Sequence, residues 1–228
     1  MKTVSVRIQR LAALAGLAAC AALSANANVF ITDENTFRSY LLPGYYLEDF
    51  DGYTAGTYTG DSLTLSGGSQ PVSGDPWVYT IRPDPGGLEP NGNARTLYSG
   101  DSAMSVSYGA DALKVTFESG SVTAVGGFFY PTDPNGAYTL RSIVLELNNG
   151  TSEIFEPSGT ADFSGFISPD IPISSITMTV VQQGQDYAFA TMDHFYVGGA
   201  VPEPVGVATM TGVVLLGGAG LMRWRKRL

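Results

Sequence analysis

The chain has 228 residues, with 12 Lys or Arg against 21 Asp or Glu, one His and one Cys. A net charge of −9 argues against a nucleic-acid partner, whose affinity rests on neutralising phosphates with Lys and Arg. A single histidine excludes a His-based zinc site within one chain. No G-x-S-x-G elbow, P-loop or dinucleotide fingerprint is present.

At the N-terminus, Lys2, Arg7 and Arg10 form a basic n-region and Leu11–Leu23 an apolar h-region. Ala25-Asn26-Ala27 follows as an A-x-A site, so residues 1–27 read as a signal peptide removed by signal peptidase. Leu17-Ala18-Ala19-Cys20 also resembles a bacterial lipobox, which would make a lipidated Cys20 the first mature residue. Both readings export the chain. The h-region runs on past Cys20 to a good later site, which favours cleavage after Ala27. The mature protein would then lack cysteine, and neither disulfides nor thiolate chemistry could contribute.

Residues 28–200 form a body of usual single-domain size. Arg38, Arg82, Arg95, Lys114 and Arg141 are its five basic residues against twenty acidic ones, a net charge of −15. Such a body suits cations, Ca²⁺ above all, which takes carboxylate and carbonyl oxygens. Helical periodicity is nearly absent, and short β-rich runs recur between Gly, Pro, Asp, Asn and Ser. Residues 28–43 are either a first strand or a lead-in. The spacing then predicts strands at Tyr45–Phe50, Ser62–Leu65, Trp77–Ile81, Thr96–Tyr98, Ala103–Tyr108, Ala112–Phe117 and Val122–Tyr130. Five more follow at Ala137–Leu147, Ser152–Phe155, Ala161–Ile167, Ser174–Gln182 and Tyr187–Val197.

Several of these alternate as half-buried strands do. Leu113, Val115 and Phe117 share one face, as do Ile143, Leu145 and Leu147, and Ile176, Met178 and Val180. Asp133-Pro134-Asn135-Gly136 has turn residues in the right places, and Asn148-Asn149-Gly150 can supply the positive φ of a hairpin. Gln70–Gly100, rich in Gly and Pro, reads as the loosest part, forming long loops at one end. Together these features predict an all-β fold, an antiparallel β-sandwich of jelly-roll-like type.

Aromatics make up 11% of the chain. Phe117, Phe128, Phe163, Phe166 and Phe195 read as core. Trp77, Tyr79, Tyr45, Tyr46, Tyr53 and Tyr58 fall near expected loops or edges, where exposed ring faces could stack on sugars of an extracellular polysaccharide. His194, between Asp193 and Phe195 in an expected strand, reads as an exposed or cross-strand residue. The alternative to a binding or structural role is a carbohydrate-active enzyme, a glycosidase or lyase. A glycosidase needs two carboxylates across a cleft, which twenty acidic residues cannot single out. A lyase needs a cationic or tyrosine apparatus that five scattered basic residues supply poorly. No catalytic residue is therefore nominated.

Glu48-Asp49-Phe50-Asp51-Gly52 and Asp193-His194-Phe195 together resemble the opening and closing strands of exported jelly-roll domains. The resemblance implies that these strands pair, and that Glu48 or Asp49, with Asp193, holds a structural Ca²⁺. The other reading is that Glu48, Asp49 and Asp51 are solvent-facing charges flanking a buried Phe50.

Residues 201–228 close the chain. Val205–Met222 is an uncharged run of 18 residues with five glycines, about 27 Å long as a helix against a hydrocarbon core of about 30 Å. It reads as one transmembrane helix. Arg223, Arg225, Lys226 and Arg227 follow, with Trp224 at the interface, as the positive-inside rule and aromatic belt require. Pro202-Glu203-Pro204 stands immediately before the run. This combination resembles the PEP-CTERM sorting signal of Gram-negative bacteria. The resemblance implies a membrane-tethered precursor, a membrane protease-transpeptidase called exosortase as partner, removal of the tail, and delivery to the cell surface or extracellular matrix. Intact-mass measurement of surface-released protein tests both ends at once. The expected species starts at Asn28 and ends near Pro202–Pro204; a released species still carrying Arg223–Arg227 would contradict processing at this signal.

Overall fold

The computed structural model describes residues 28–54, 58–100, 102–184 and 186–201. The expected signal peptide with Cys20, the expected sorting residues Pro202, Glu203 and Pro204, the 205–222 run and the basic residues Arg223, Arg225, Lys226 and Arg227 lie outside them. Among the described residues no helix is long and apolar enough to cross a membrane.

Among the described residues fourteen strands and one short helix follow in order: β1 (Val29–Ile31), α1 (Glu34–Ser39), β2 (Tyr46–Glu48), β3 (Tyr58–Gly60), β4 (Leu63–Gly67), β5 (Trp77–Asp84), β6 (Leu97–Gly100) and β7 (Ala103–Val106). Then come β8 (Ala112–Phe117), β9 (Ala124–Thr132), β10 (Ile143–Leu147), β11 (Ser152–Phe155), β12 (Phe163–Ile167), β13 (Ser175–Val180) and β14 (Phe189–Gly198). Every strand pairs antiparallel. One sheet runs β1-β12-β9-β14-β7-β6-β3, with β2 also on β14; the other runs β11-β10-β13-β8-β5-β4. The two pack face to face as an antiparallel β-sandwich.

All twelve expected strands are present, β8 and β11 to the residue and the other ten with shifted ends. The reason is the two-residue period: Leu113, Val115 and Phe117 are buried, as are Ile143, Leu145 and Leu147, and Ile176, Met178 and Val180. Both expected turns form. Asp133 Oδ1 accepts from the backbone N–H of Asn135 and Ala137, with Gly136 at φ 82°. Gly150, also at φ 82°, closes the β10–β11 hairpin.

Three features differ from expectation. Residues 28–43 contain both β1 and a helix. The Asp33 carboxylate caps that helix by accepting from the Thr36 N–H at 2.7 Å; six residues are too few to show a helical period. Gln70–Gly100 is not uniformly loose. It holds β5 and β6, whose Trp77, Tyr79, Ile81 and Leu97 are fully buried, and only the Gly- and Pro-rich stretch between them turns repeatedly. The short edge strand β3 carries no alternation long enough to detect.

The core between the sheets is aromatic. Phe195 lies 5.4 Å from Tyr79 edge-on, 6.2 Å from Phe129 edge-on and 6.4 Å from Phe117 in a parallel stack, centroid to centroid. Trp77 is anchored by its indole N–H, which donates to the Gly44 carbonyl at 2.9 Å. A second, smaller cluster sits on the outer face of the eight-stranded sheet. There Phe37 of α1 packs on Phe163 and Tyr196. Gly165 makes room for it, since a Cβ there would stand 2.9 Å from the Phe37 ring. The helix thus covers one end of that outer face.

Candidate ligand groove

The uncovered end of the same face is where polar and aromatic side chains converge. Strand alternation sends Leu97, Met104, Val106, Ala190 and Met192 into the core and their neighbours outward. The register then aligns four of the outward residues in one row across four strands: Tyr98 pairs with Ser105, Ser105 with Thr191, and Thr191 with Tyr130. This row floors an open cleft of about 800 Å³. Phe189 and Ser107 lie toward one end, Asp193 toward the other, and the Asp133–Gly136 turn with Thr160 forms a wall.

The floor is a chain of hydroxyls between rings. Thr132 and Thr191 Oγ1 lie 2.9 Å apart, Thr191 Oγ1 donates to Ser105 Oγ at 3.0 Å, and Ser105 Oγ donates to the Ala190 carbonyl at 3.1 Å. Each hydroxyl still has lone pairs to offer. Tyr98, Phe189 and Asp193 are half-buried, so their outer edges are accessible. Among the described residues no Lys or Arg lines the cleft.

Asp193 is set by the backbone. At β14 the register shifts between Asp193 and Tyr196, with His194 at φ 45°, a β-bulge that breaks the in–out phase. Asp193 keeps to the groove face while Phe195 turns into the core. The Asp193 Oδ1 accepts from the His194 backbone N–H at 2.6 Å and lies 2.9 Å from its Nδ1. Burial nevertheless holds the Asp193 carboxyl above the ordinary range, with the Asp51 charge adding to it and His194 opposing. Burial, and then the charge of Asp193, pushes the Tyr130 phenol up to about 12. Asp133, the other carboxylate at the cleft, is held below the usual range by the N–H groups of Ala137 and Asn135. It sits five residues along β9 from the Phe128 that pairs with Asp193, about 17 Å at about 3.4 Å per residue. Glycosidase carboxyl pairs stand about 5–9.5 Å apart, and Asp133 is occupied in its turn.

Other expected site residues are dispersed. β2 and β14 do pair, Glu48 lying opposite Phe195. Yet Glu48 Oε2 accepts from the Tyr46 hydroxyl and Oε1 from the Phe50 N–H, while Asp49 Oδ1 accepts from the Asp51 N–H. Among the described residues no three His, Cys, Asp or Glu side chains group as a metal site. Glu48 and Asp49 are thus engaged by neighbouring N–H and O–H groups, while the Asp51 charge acts on Asp193 across the paired strands. Phe50 is fully buried beside them.

The expected sugar platform also changes. Trp77 and Tyr79 are fully buried core residues, because the strand expected at Trp77–Ile81 lies between β4 and β8 rather than at an edge, with these rings on its inward face. Tyr45, Tyr46 and Tyr53 are half-buried against Tyr196, Tyr79 and Phe50, and the Tyr58 side chain lies outside the description. Of the five expected core phenylalanines only Phe128 is half-buried, 5.1 Å from the His194 ring. The groove residues were overlooked because they lie on four strands far apart in the chain; alternation marks their face but not their register.

No family model matches the chain, and no curated protein matches it. Among solved structures, the solution structure of CtCBM11 is similar at 13% identity over 70% of this chain and 97% of that one, with a TM-score of 0.23. A likeness this low carries no argument about function.

The direction at Asp193 gives a stability test. Its folded value is raised above the ordinary 3.8, so between the two values the folded state binds more protons than the unfolded one. Stability is then lost as pH rises above about 4. Asp193→Asn keeps the acceptor oxygen and removes the charge. Thermal melts should show the variant more stable than the parent at pH 7 and equal to it near pH 3; a variant less stable at pH 7 would contradict the burial effect.

Proposed function

We propose that this is an exported protein, carried out by its N-terminal leader and sorted through its PEP-CTERM signal by an exosortase. In this reading its jelly-roll-like sandwich attaches the cell surface or matrix to a neutral polysaccharide held in the groove. One observation carries the binding part: the Tyr98–Ser105–Thr191–Tyr130 row, in which two rings flank paired hydroxyls at the floor of an open cleft. A sugar ring offers an apolar C–H face to an aromatic and a rim of hydroxyls to donors and acceptors, so alternating ring and hydroxyl suits it.

Charge supports neutrality of the ligand. The groove presents carboxylates and no cation, on a body of −15, and a uronic or sulfated chain would meet like charge. The sorting part rests on the terminal residues alone and is tested by the intact mass already described. The binding part is tested by affinity electrophoresis of the protein through gels containing neutral or anionic polysaccharides. Neutral chains should retard it and anionic ones should not. Tyr98→Ala should weaken retention about tenfold, the scale of one aromatic contact, with an unchanged circular-dichroism spectrum. Equal retardation of parent and variant would remove the groove from the binding site.

A further inference from the structure

The line of outward side chains on β14 continues past Phe189, the last of them to line the cleft itself. Past the start of β14, Ala188 is still in the core, so the alternation continues and places Tyr187 on the groove face, two residues beyond Phe189. Tyr187 is 53% exposed. Its ring centroid lies 5.9 Å from that of Tyr108, with the planes 36° apart. Tyr108 in turn follows Ser107, which lines the same end of the cleft.

This pair is held rather than loose. The Gln182 carboxamide donates to the carbonyls of Gly109 at 2.6 Å and Ala188 at 2.8 Å, and its oxygen accepts from the Ala188 N–H at 2.9 Å. One side chain therefore ties together the two segments that carry the tyrosines. Gly109 permits the approach, since a Cβ there would stand 2.6 Å from the Tyr187 Cβ. On the far side, the Arg95 guanidinium lies 5.4 Å from the Tyr108 ring centroid. Arg95 is fixed by Asp111 Oδ1 at 2.7 Å and by donating to the Pro85 carbonyl at 3.0 Å. A surface tyrosine with both its backbone and its ring partner pinned loses little freedom on binding.

Resting on the polysaccharide reading of the groove, we propose that Tyr187, backed by Tyr108, is a distal sugar subsite. The ligand is then an extended neutral chain lying along β14, from Asp193 past Phe189 to Tyr187. Those six residue-to-residue steps span about 20 Å at about 3.4 Å each, which demands an oligosaccharide of several units rather than a chain end or a single sugar.

Length dependence separates this from the groove reading itself. The full-length chain, in a detergent without sugar headgroups, is titrated calorimetrically with cello-, manno- and xylo-oligosaccharides of two to six units. Affinity should climb with length in at least one series. Tyr187→Ala should lose about tenfold for the hexamer and stay within twofold for the dimer, whereas Tyr187→Phe should retain hexamer binding because the ring remains. An equal loss at all lengths, or none at any, overturns the subsite while leaving the groove standing. No binding of any series by the parent chain overturns both.

Discussion

The bulge in β14 is the constraint on which the rest depends. Up to Asp193 the strand sends odd residues to the outer face; after it, Phe195 and Val197 go inward and Tyr196 outward. His194 absorbs the change at φ 45°, a conformation unfavourable for a non-glycine residue and therefore dependent on its surroundings. The compensation is visible on both sides. Inward, Phe195 joins Tyr79, Phe117 and Phe129 at the centre of the core. Outward, Tyr196 joins Phe37 and Phe163 beneath the helix. Without the bulge Phe195 would point outward and Tyr196 inward, and neither cluster would receive its present ring.

The same break divides the outer face into two halves of different character. Beyond the bulge, glycines at 126 and 165 let the α1 helix settle against the sheet and close that half with aromatic side chains. Before it, the face stays open and carries hydroxyls, tyrosines and one partly buried carboxylate. Asp193 stands at the boundary, next to the bulge residue that hydrogen-bonds it. The groove is thus a consequence of covering half a sheet and leaving the other half free.

How much of this the residues disclosed depends on the range of each signal. Alternation is local, so the Leu113, Ile143 and Ile176 sets reveal their strands and their buried faces directly. Turn chemistry is equally local, as Asp133 and Gly150 demonstrate. Register is not local: nothing near Tyr98 announces that Tyr130 will lie in its row, because the link passes through Ser105 and Thr191. The acidic Glu48–Asp51 segment was legible as a partner of the last strand, and that pairing exists. Its carboxylates, however, bind neighbouring N–H and O–H groups, which a list of oxygen donors could not reveal. Trp77 and Tyr79 looked exposed by their Pro- and Gly-rich surroundings, yet two strand neighbours bury them. The proposed leader and sorting tail are read from short linear order alone, without reference to the fold.

The central claim is that the open half of the eight-stranded sheet is a carbohydrate-binding face. Amide chemical-shift mapping of the protein with saturating cellohexaose, mannohexaose or xylohexaose tests it most directly. The largest shifts should fall on Tyr98, Ser105, Thr191 and Tyr130 and extend toward Tyr187, with the β4–β5 side of the other sheet unmoved. Shifts clustered on that opposite sheet, or none with any of the three, would contradict it.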